Sequence, residues 1–447
     1  EKVIDFWIAE RDRRGSIWAS QAREVLARLE HVPELRGPRI DPAVARRHPE
    51  LIRMLLSAHF AEASVGSFGS ASVPFSYDTI YETPGSDALG VLGQTALFEG
   101  TRFEPEMMVR GMIMAGYEHV LRFLYGIDVD FDPPLVITVR DPDSGLQRHF
   151  QIVWDSRFMT VTADEGTRRA TPEELEELLA EPMDFDRWAE VLPPDRFELG
   201  GLGITWAVEV TGPEASSLLK EALLRKDALS SRERIEELET HIRTLLGQAD
   251  IEMGLIAFDG DASIEGIDRA FPLGKSLLMS GGSAPKCPSR ENSSYAEVFK
   301  TPAPHVVRDL ETCGCNTGFE HRLLQDGIRS LALLPLFVDA RLVGLLEVGS
   351  RSPGAVTMYQ ALKLKAVTSA FATALQRSLA EREDQIQSVI KQKYTAIHPS
   401  VEWRFRDAAS HVLGIADHDD HPGQEEIVFH GVYPLYGLTD IRGSSDT

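Results

Sequence analysis

The sequence predicts an α+β protein built from several domains, and three observations lead to this prediction. Apolar residues recur at helical spacing over much of residues 1–126, whereas residues 134–162 switch to short β-branched runs separated by polar turns. Two apolar runs within residues 330–348 flank a short polar turn, and a long helical pattern follows them. A chain of 447 residues has room for about three domains.

Residues 1–126 are expected to form a mainly helical region. The stretch from Ala63 to Gly93 within it is rich in Gly, Ser and Pro, which predicts a long loop. A group of methionines is interpreted as core filling rather than as a metal or haem site, because Met is a flexible apolar side chain. The group consists of Met107, Met108, Met112 and Met114.

Residues 127–228 are expected to form a small α+β domain. The runs Leu135–Val139 and Phe150–Trp154 flank a polar turn and predict a hairpin. The pair Thr171–Pro172 has the residue types of an N-cap and a first helical position, so a helix is predicted to begin there. A strand-like pattern covers Phe197–Val210.

Residues 229–396 form the next predicted domain, which begins with an amphipathic helix from Ser230 to Gly247. Ser230 and Glu233 have the spacing of a capping box. A heptad-like seam runs along this helix and could contact either its own domain or a second helix in a dimer, so both interpretations stay open. The seam consists of Ile235, Leu238, Ile242, Leu245 and Ala249.

The rest of this domain is expected to alternate short strands with irregular chain before a hairpin and a long helix. The helix is long enough to leave its own domain and to continue into a following module. The predicted elements are the strand Met253–Phe258, the helix Tyr295–Lys300, the strand His305–Val307, the hairpin Ser330–Phe337 with Arg341–Val348, and the helix Ala355–Tyr394.

Residues 397–447 are expected to contain a helix followed by strands, as the start of a further, truncated domain. The chain begins at Glu1 rather than at a methionine and stops in the polar run Arg442–Thr447. We therefore expect a fragment of a longer protein.

The runs Gly327–Leu336 and Leu342–Val348 resemble the last hairpin of GAF domains, in which a "GIRS…PL" strand, a turn and a "G-x-L-x" strand precede a long helix. The order of elements over residues 230–395 is similar to that family too. The resemblance implies a sensory domain. Outer segments also resemble a group of bacterial GAF proteins labelled phytochrome sensors; these segments are Ile397–Trp403, Val432–Gly437 and Asp440–Ser445.

The residues do not support the specific activities known in this family. Bilin-binding relatives carry a Cys-His pair on the helix before the final hairpin, and Gly318-Phe319 occupies that place here. The resemblance therefore argues against covalent bilin attachment. The signature of cyclic-nucleotide-binding GAF domains cannot be placed. Cys315 lies further from Pro335 than the matching cysteine of methionine sulfoxide reductases, which disfavours that activity.

Cys313 and Cys315 are the candidate site residues, as a redox pair or as part of a thiolate metal site. Cys287, His305 and His321 are further candidate ligands. A one-residue gap between cysteines is poor for a structural zinc site, which favours spacings such as Cys-x2-Cys. The plainer interpretation is a pair of loop cysteines.

Three other groups have a plainer interpretation than a site. Gly281–Ser283 lacks the rest of a phosphate-binding loop. Asp417–His421 is rich in possible metal ligands but lies in a polar loop. Glu173–Glu177 is expected to be the solvated face of a helix.

Composition limits which macromolecular partners and which cellular compartment are expected. The formal net charge of -23 repels nucleic-acid phosphates and anionic lipids, so neither nucleic acid nor membrane is expected as a partner. No apolar run approaches the roughly 18 residues of a membrane helix. Three cysteines make a disulfide framework an unfavourable interpretation and favour a reducing, cytoplasmic location.

The predicted function is that of a non-enzymatic sensory or regulatory protein in signal transduction. Its GAF-type domain is expected to bind an unidentified small molecule and to signal through flanking helices in a homodimer. No acid-base or nucleophile constellation indicates an enzyme. Two alternatives stay open: a scaffold without a ligand, and a thiol-based redox or metal sensor that uses Cys313 and Cys315.

Overall fold

The structure is a computed structural model in which the chain divides into two compact units. The first unit is Glu1–Ala215 and the second is Ser216–Thr447. The described residues are 1–37, 40–60, 68–74, 79–92, 105–129, 131, 135–258, 262–280, 290–314 and 317–393. The predicted C-terminal segment 397–447 lies outside them.

The first unit combines helices with two antiparallel sheets. Its described helices are α1 (Lys2–Asp12), α2 (Ala19–Leu29), α3 (Pro42–Arg47), α4 (Pro49–Leu56), α5 (Pro84–Leu89), α6 (Pro105–Val120), α7 (Pro172–Ala180) and α8 (Phe185–Val191). Its described strands are β1 (Phe68–Ser72), β2 (Thr79–Glu82), β3 (Val136–Arg140), β4 (Gln147–Asp155), β5 (Met159–Ala163), β6 (Phe197–Gly201) and β7 (Gly203–Glu209).

The main sheet of the first unit has the strand order β2-β1-β7-β4-β3, and β5 pairs with β6 in a second sheet. Strand β1 pairs with β7 in antiparallel register, with Phe68 opposite Ala207. This sheet therefore takes strands from both sides of residue 126. The predicted regions 1–126 and 127–228 share one sheet instead of forming a helical region beside a separate α+β domain.

Strand β1 lies inside the stretch Ala63–Gly93 that was predicted to be a loop, and this prediction is wrong for its described part. The strand is nearly all buried although it contains no β-branched residue. A Cβ on Gly69 would overlap the Phe60 ring and lie 3.0 Å from Trp206, so the small residue lets the strand approach its aromatic neighbours. Tertiary packing, and not strand propensity, selects this strand.

Two other predictions for the first unit, the hairpin and the start of a helix at Pro172, are confirmed. Strands β3 and β4 form the expected hairpin, with Ile137 opposite Phe150. Helix α7 begins at Pro172 with Thr171 as its N-cap, and Glu174 completes a capping box.

In the buried core, the Trp7 indole Nε1 donates a hydrogen bond to the Leu55 carbonyl at 2.8 Å.

The described residues of the second unit contain a five-stranded antiparallel sheet with the order β10-β11-β12-β8-β9. Its described strands are β8 (Ile251–Ala257), β9 (Phe271–Pro272), β10 (His305–Val307), β11 (Ser330–Val338) and β12 (Arg341–Ser350). Its described helices are α9 (Thr211–Leu224), which spans the division between the units, α10 (Arg232–Leu246), α11 (Ser294–Lys300), α12 (Gly318–Gln325), α13 (Met358–Lys365) and α14 (Thr368–Lys393).

The predicted hairpin is confirmed as β11 and β12, which occupy the centre of this sheet. Leu334 lies opposite Leu346, and the two-residue turn Asp339–Ala340 has positive φ at both positions. A turn of that conformation matches the right-handed twist of the flanking strands.

Two details of the predicted helices are wrong. Ser231, and not Ser230, is the N-cap of α10, because its hydroxyl accepts a hydrogen bond from Arg234 N. The predicted helix 355–394 is two helices, α13 and α14. The break lies before Thr368, whose hydroxyl donates to the Lys365 carbonyl at 3.0 Å and so competes with the helical hydrogen bonds.

Four of the five predicted seam residues are buried within the chain itself, and Ala249, which lies past the end of α10, is exposed. Ile242 is fully buried, and Ile235, Leu238 and Leu245 are nearly so. This burial corresponds to the first of the two interpretations of the seam, in which it packs on its own domain. Across the described residues, no helix is both long enough and apolar enough to cross a membrane.

Candidate functional site

One face of the second unit's sheet, here called the inner face, is covered by irregular chain and short helices. Strands supply Ile256, Leu331, Leu333 and Leu345 to this face. The covering segments add further buried apolar side chains, which are Ile267, Leu277, Leu278, Met279, Tyr295, Val298, Leu310, Phe319 and Leu323. In the described residues the inner face is thus filled by the protein's own side chains.

Glu347 is a charged residue in the middle of this apolar face. It lies on β12, between Leu333 on β11 and Gly254 on β8, and it is fully buried. A Cβ on Gly254 would overlap a Glu347 carboxylate oxygen and would lie 2.7 Å from Leu277 N. Glycine at position 254 therefore makes room for the carboxylate on the sheet.

The Glu347 carboxylate accepts hydrogen bonds from several groups. The Tyr295 hydroxyl donates at 2.5 Å, Leu277 N at 2.8 Å and Leu278 N at 3.3 Å. The Ser276 hydroxyl is a further partner. Burial raises the pKa of Glu347, although these hydrogen bonds act in the opposite direction by favouring the charged form. Burial and the neighbouring carboxylate also raise the pKa of Tyr295 well above its usual value.

The segment 273–280, here called the strap, carries most of these donors across the inner face. At its start, Leu273 N donates to Leu255 O at 3.0 Å and Leu255 N donates to Lys275 O at 2.7 Å, so the strap is paired with β8. Near its end, the Ser280 hydroxyl donates to Asp326 at 2.8 Å. Between these two attachments, Glu347 holds the strap against the sheet.

A second buried carboxylate, Glu320, supports the covering helices. It completes a capping box with Thr317 at the start of α12 and accepts a hydrogen bond from Ser294 N at 2.8 Å. Burial by itself would raise the pKa of Glu320, but the hydrogen bonds together outweigh it and lower the pKa. Its role is to join the starts of α11 and α12, outside the strap.

The predicted cysteine site is described only in part. The Cys313 thiol is partly buried at the margin of the inner face and donates to Leu310 O at 3.3 Å. Cys315 and Cys287 lie outside the described residues, so the structure does not test the pair. His321 is exposed on α12, and His305 is half-buried on β10, where burial lowers its pKa. The described part of the chain contains no group of three or more His, Cys, Asp or Glu side chains that could hold a metal ion.

The plainer interpretations of other motifs hold where the structure describes them. The Glu173–Glu177 stretch projects mainly exposed or half-exposed glutamates from α7, with Leu175 and Leu178 buried on the opposite face. Met114 belongs to the core around Trp188. Gly281–Ser283 and Asp417–His421 lie outside the described residues.

Sequence reasoning missed Glu347, Tyr295 and the strap. The available signal was a glutamate at the sixth position of the apolar run Leu342–Val348. A charge there must either interrupt a buried strand or find partners inside the core. The positions of those partners, including Leu277 N, depend on the path of irregular chain that no periodicity predicts.

Comparison with known proteins places the inner face within a recognised domain. Residues 234–375 match the family model of the GAF domain. This match confirms the GAF resemblance for the part of the chain that holds the sheet β8–β12. The narrower resemblance to phytochrome sensors stays a prediction. No curated protein matches the chain at a significant level.

Solved structures similar to the chain come from several kinds of protein. One is a free methionine-R-sulfoxide reductase from Neisseria meningitidis in complex with its substrate, at 15% identity and TM-score 0.26, with 38% of this chain and 89% of that chain covered. Another is the phycoerythrobilin-bound GAF domain of a cyanobacterial phytochrome, at 17% identity and TM-score 0.28, with 39% and 99% covered. A third is the chromophore-binding domain of an unusual bacteriophytochrome from R. palustris, at 12% identity and TM-score 0.25, with 72% and 99% covered.

Proposed function

We propose that this protein is a non-enzymatic regulatory protein of signal transduction, whose GAF domain binds a small molecule at the inner face of its sheet. The observation that carries the proposal is the strap. It covers the inner face as irregular chain, and its middle is attached to the sheet through Glu347. Besides Glu347, the strap is attached through its backbone pairing with β8, through Lys275 and through Ser280. These contacts can break without unfolding the sheet beneath, because irregular segments open locally at a lower free energy than core strands.

A route from the inner face to the flanking helices supports a signalling role. On the opposite face of the sheet, Leu375 of α14 packs so closely on Gly344 that a Cβ there would overlap it. The Arg377 guanidinium, two residues further along α14, donates to the Leu223 and Leu224 carbonyls at the end of α9. Movement of β12 on ligand binding would therefore shift α14 and the end of α9. Transmission within a cytoplasmic homodimer stays a prediction.

A second candidate function is a ligand-free scaffold. The specific observation in its favour is the filled inner face, where Leu277, Leu278 and Met279 of the strap are all buried. In this case the strap would be a permanent part of the core.

The deciding experiment is an absorbance spectrum and a denaturing mass-spectrometric ligand scan of the full chain purified from its native host. A stoichiometric small molecule, absent from a chain denatured and refolded in buffer, is the expected result. A colourless chain without any bound molecule, from cells grown under several conditions, would favour the scaffold. The thiol-sensor alternative predicts a response to oxidant that the double variant Cys313→Ser/Cys315→Ser loses.

A further inference from the structure

The hydrogen-bond donors around Glu347 belong to two different parts of the GAF domain. Leu277 N, Leu278 N and the Ser276 hydroxyl lie in the strap, whereas Tyr295 lies on α11. When the strap leaves the inner face, its donors leave with it. The carboxylate then keeps the Tyr295 hydroxyl but loses both backbone amides.

The same movement empties an apolar space. In that movement the strap side chains Leu277, Leu278 and Met279 would withdraw from the apolar cluster that they share with the sheet residues Leu331 and Leu345. The space left, here called the chamber, would be apolar and would have the Glu347 carboxylate on its floor, which is the sheet. An ionised carboxylate left with a single hydrogen-bond donor in such a place is strongly unfavourable. It either takes up a proton or is stabilised by an occupant that replaces the hydrogen bonds or supplies positive charge.

We propose that the ligand of this GAF domain is an apolar molecule bearing a cationic group rich in N–H donors, and that this group replaces the strap amides on the Glu347 carboxylate. An amidinium, a guanidinium or a protonated amine on an aromatic ring system has this chemistry. This inference rests on the proposed function, because it names the class of molecule that the inner face binds.

A carboxylate on the sheet disfavours an anionic ligand. A carboxylate or phosphate placed on the chamber floor would meet Glu347 at close range, and like charges in a desolvated site repel strongly. An amidinium instead offers paired N–H groups that match the two carboxylate oxygens, as in other charge-assisted pairs. The ring system of the ligand would fill the space that the strap side chains leave.

Two probes with the same ring and opposite charge test this inference on the full chain. They are 2-naphthamidine and 2-naphthoate, and isothermal titration calorimetry measures their affinities. We expect the amidine to bind at least about ten-fold more tightly than the carboxylate, which is a difference of about 1.4 kcal/mol. Glu347→Gln removes the charge and should abolish this preference.

A matched control and a second variant keep the test decisive. Glu320→Gln changes another buried carboxylate of the same domain, which lies outside the strap, and should leave the preference intact. If Glu347→Gln does not fold, Ser276→Ala provides the test. It weakens the closed strap but keeps Glu347, so the affinity for 2-naphthamidine should rise several-fold because less free energy is needed for opening.

Equal affinity for the two probes, or no binding of 2-naphthamidine to wild type and Ser276→Ala, would overturn the inference. The native-host ligand scan separates this failure from failure of the proposed function. A bound native molecule that is anionic, or that lacks N–H donors, would overturn the ligand class and leave the sensory function standing. A donor-rich cationic molecule lost in Glu347→Gln would support both.

Discussion

The Glu347 carboxyl is fully buried, and the groups that donate hydrogen bonds to it are hydroxyls and backbone amides. Each such donor stabilises the ionised form, but together they do not restore the hydration that burial removes. Burial therefore raises the pKa of this carboxyl in the folded state. This property gives the GAF domain a pH dependence with a defined sign.

The first prediction concerns that pH dependence. A raised pKa means that the folded chain binds this proton more tightly than the unfolded chain, whose pKa lies near 4.5. The stabilising contribution is therefore present in full below about pH 4.5 and is lost as pH rises through the folded pKa. We expect wild type to gain stability relative to Glu347→Gln as pH falls from about 8 to about 5.

Native-state hydrogen exchange of amides in β11 and β12 measures this difference, since it reports the opening free energy of the GAF domain alone. Carboxyls whose pKa is lowered, such as Glu320 and Glu252, contribute equally to the stability of wild type and of Glu347→Gln, so their contributions cancel in the difference. Glu320→Gln is the control of opposite sign: the lowered pKa of Glu320 makes its contribution to stability one that is lost as pH falls, so wild type should not gain stability relative to Glu320→Gln as pH falls. A difference in opening free energy between wild type and Glu347→Gln that does not vary with pH would contradict the prediction.

At the scale of the elements, the strap passes so near Gly254 of β8 that a Cβ there would lie 2.7 Å from Leu277 N. We predict that Gly254→Ala displaces the strap, because the new Cβ would overlap the Glu347 carboxylate and lie 3.0 Å from Ser276 Cα. Overpacking of this kind costs about 1–3 kcal/mol. The measurement is hydrogen exchange of the Leu277 and Leu278 amides, which should become at least about ten-fold faster, since ten-fold corresponds to about 1.4 kcal/mol.

The control for this substitution is Gly314→Ala in the same unit. A Cβ on Gly314 would meet nothing within 4 Å, so the strap amides should exchange as in wild type. Unchanged exchange in Gly254→Ala would mean that the strap is not held by the sheet at this point.

Helix α10 offers the third prediction, because its apolar seam is buried in the chain. Ile242→Ala should lower the opening free energy of the GAF unit by about 2–4 kcal/mol through loss of buried contacts and creation of a cavity. Ile242→Val should lower it by about 1 kcal/mol. Multi-angle light scattering should show the same oligomeric state for both variants and wild type. A variant that dissociates a dimer but keeps its stability would show that the seam faces a partner.

The elements differ in how far the sequence predicts them. Strands β11 and β12 were predictable, because two continuous apolar runs around a short polar turn fit few structures other than a β-hairpin. Strand β1 was not, since its Gly- and Ser-rich residues acquire strand structure only through pairing with β7 and contact with Phe60. The candidate site was missed for a related reason. Its geometry depends on the strap, whose course across the sheet is fixed by long-range contacts to Glu347.

At the scale of the whole molecule, α9 is the element that passes from the first unit into the second. Its end is held by one side chain of α14. The Arg377 guanidinium donates to the Leu224 carbonyl at 3.1 Å and to the Leu223 carbonyl at 3.0 Å, and it also contacts the Arg225 carbonyl. The last carbonyls of a helix lack intrahelical partners, and a cation there also interacts favourably with the helix dipole.

The last prediction is that Arg377→Gln releases the end of α9. Loss of hydrogen bonds from a charged donor should lower the local opening free energy by about 1.5–3 kcal/mol, since such bonds are stronger than neutral ones. Trypsin should then cleave after the exposed Arg225 and Lys226 at least about ten-fold faster, because cleavage under native conditions follows the population of the open form. Replacing Arg232, an exposed arginine paired with Glu236 on α10, by Gln is the matched control and should leave the rate unchanged. If Arg377→Gln is cleaved at the wild-type rate, as the control is, Arg377 does not hold the end of α9. A signal from the sheet must then leave the GAF domain by another route.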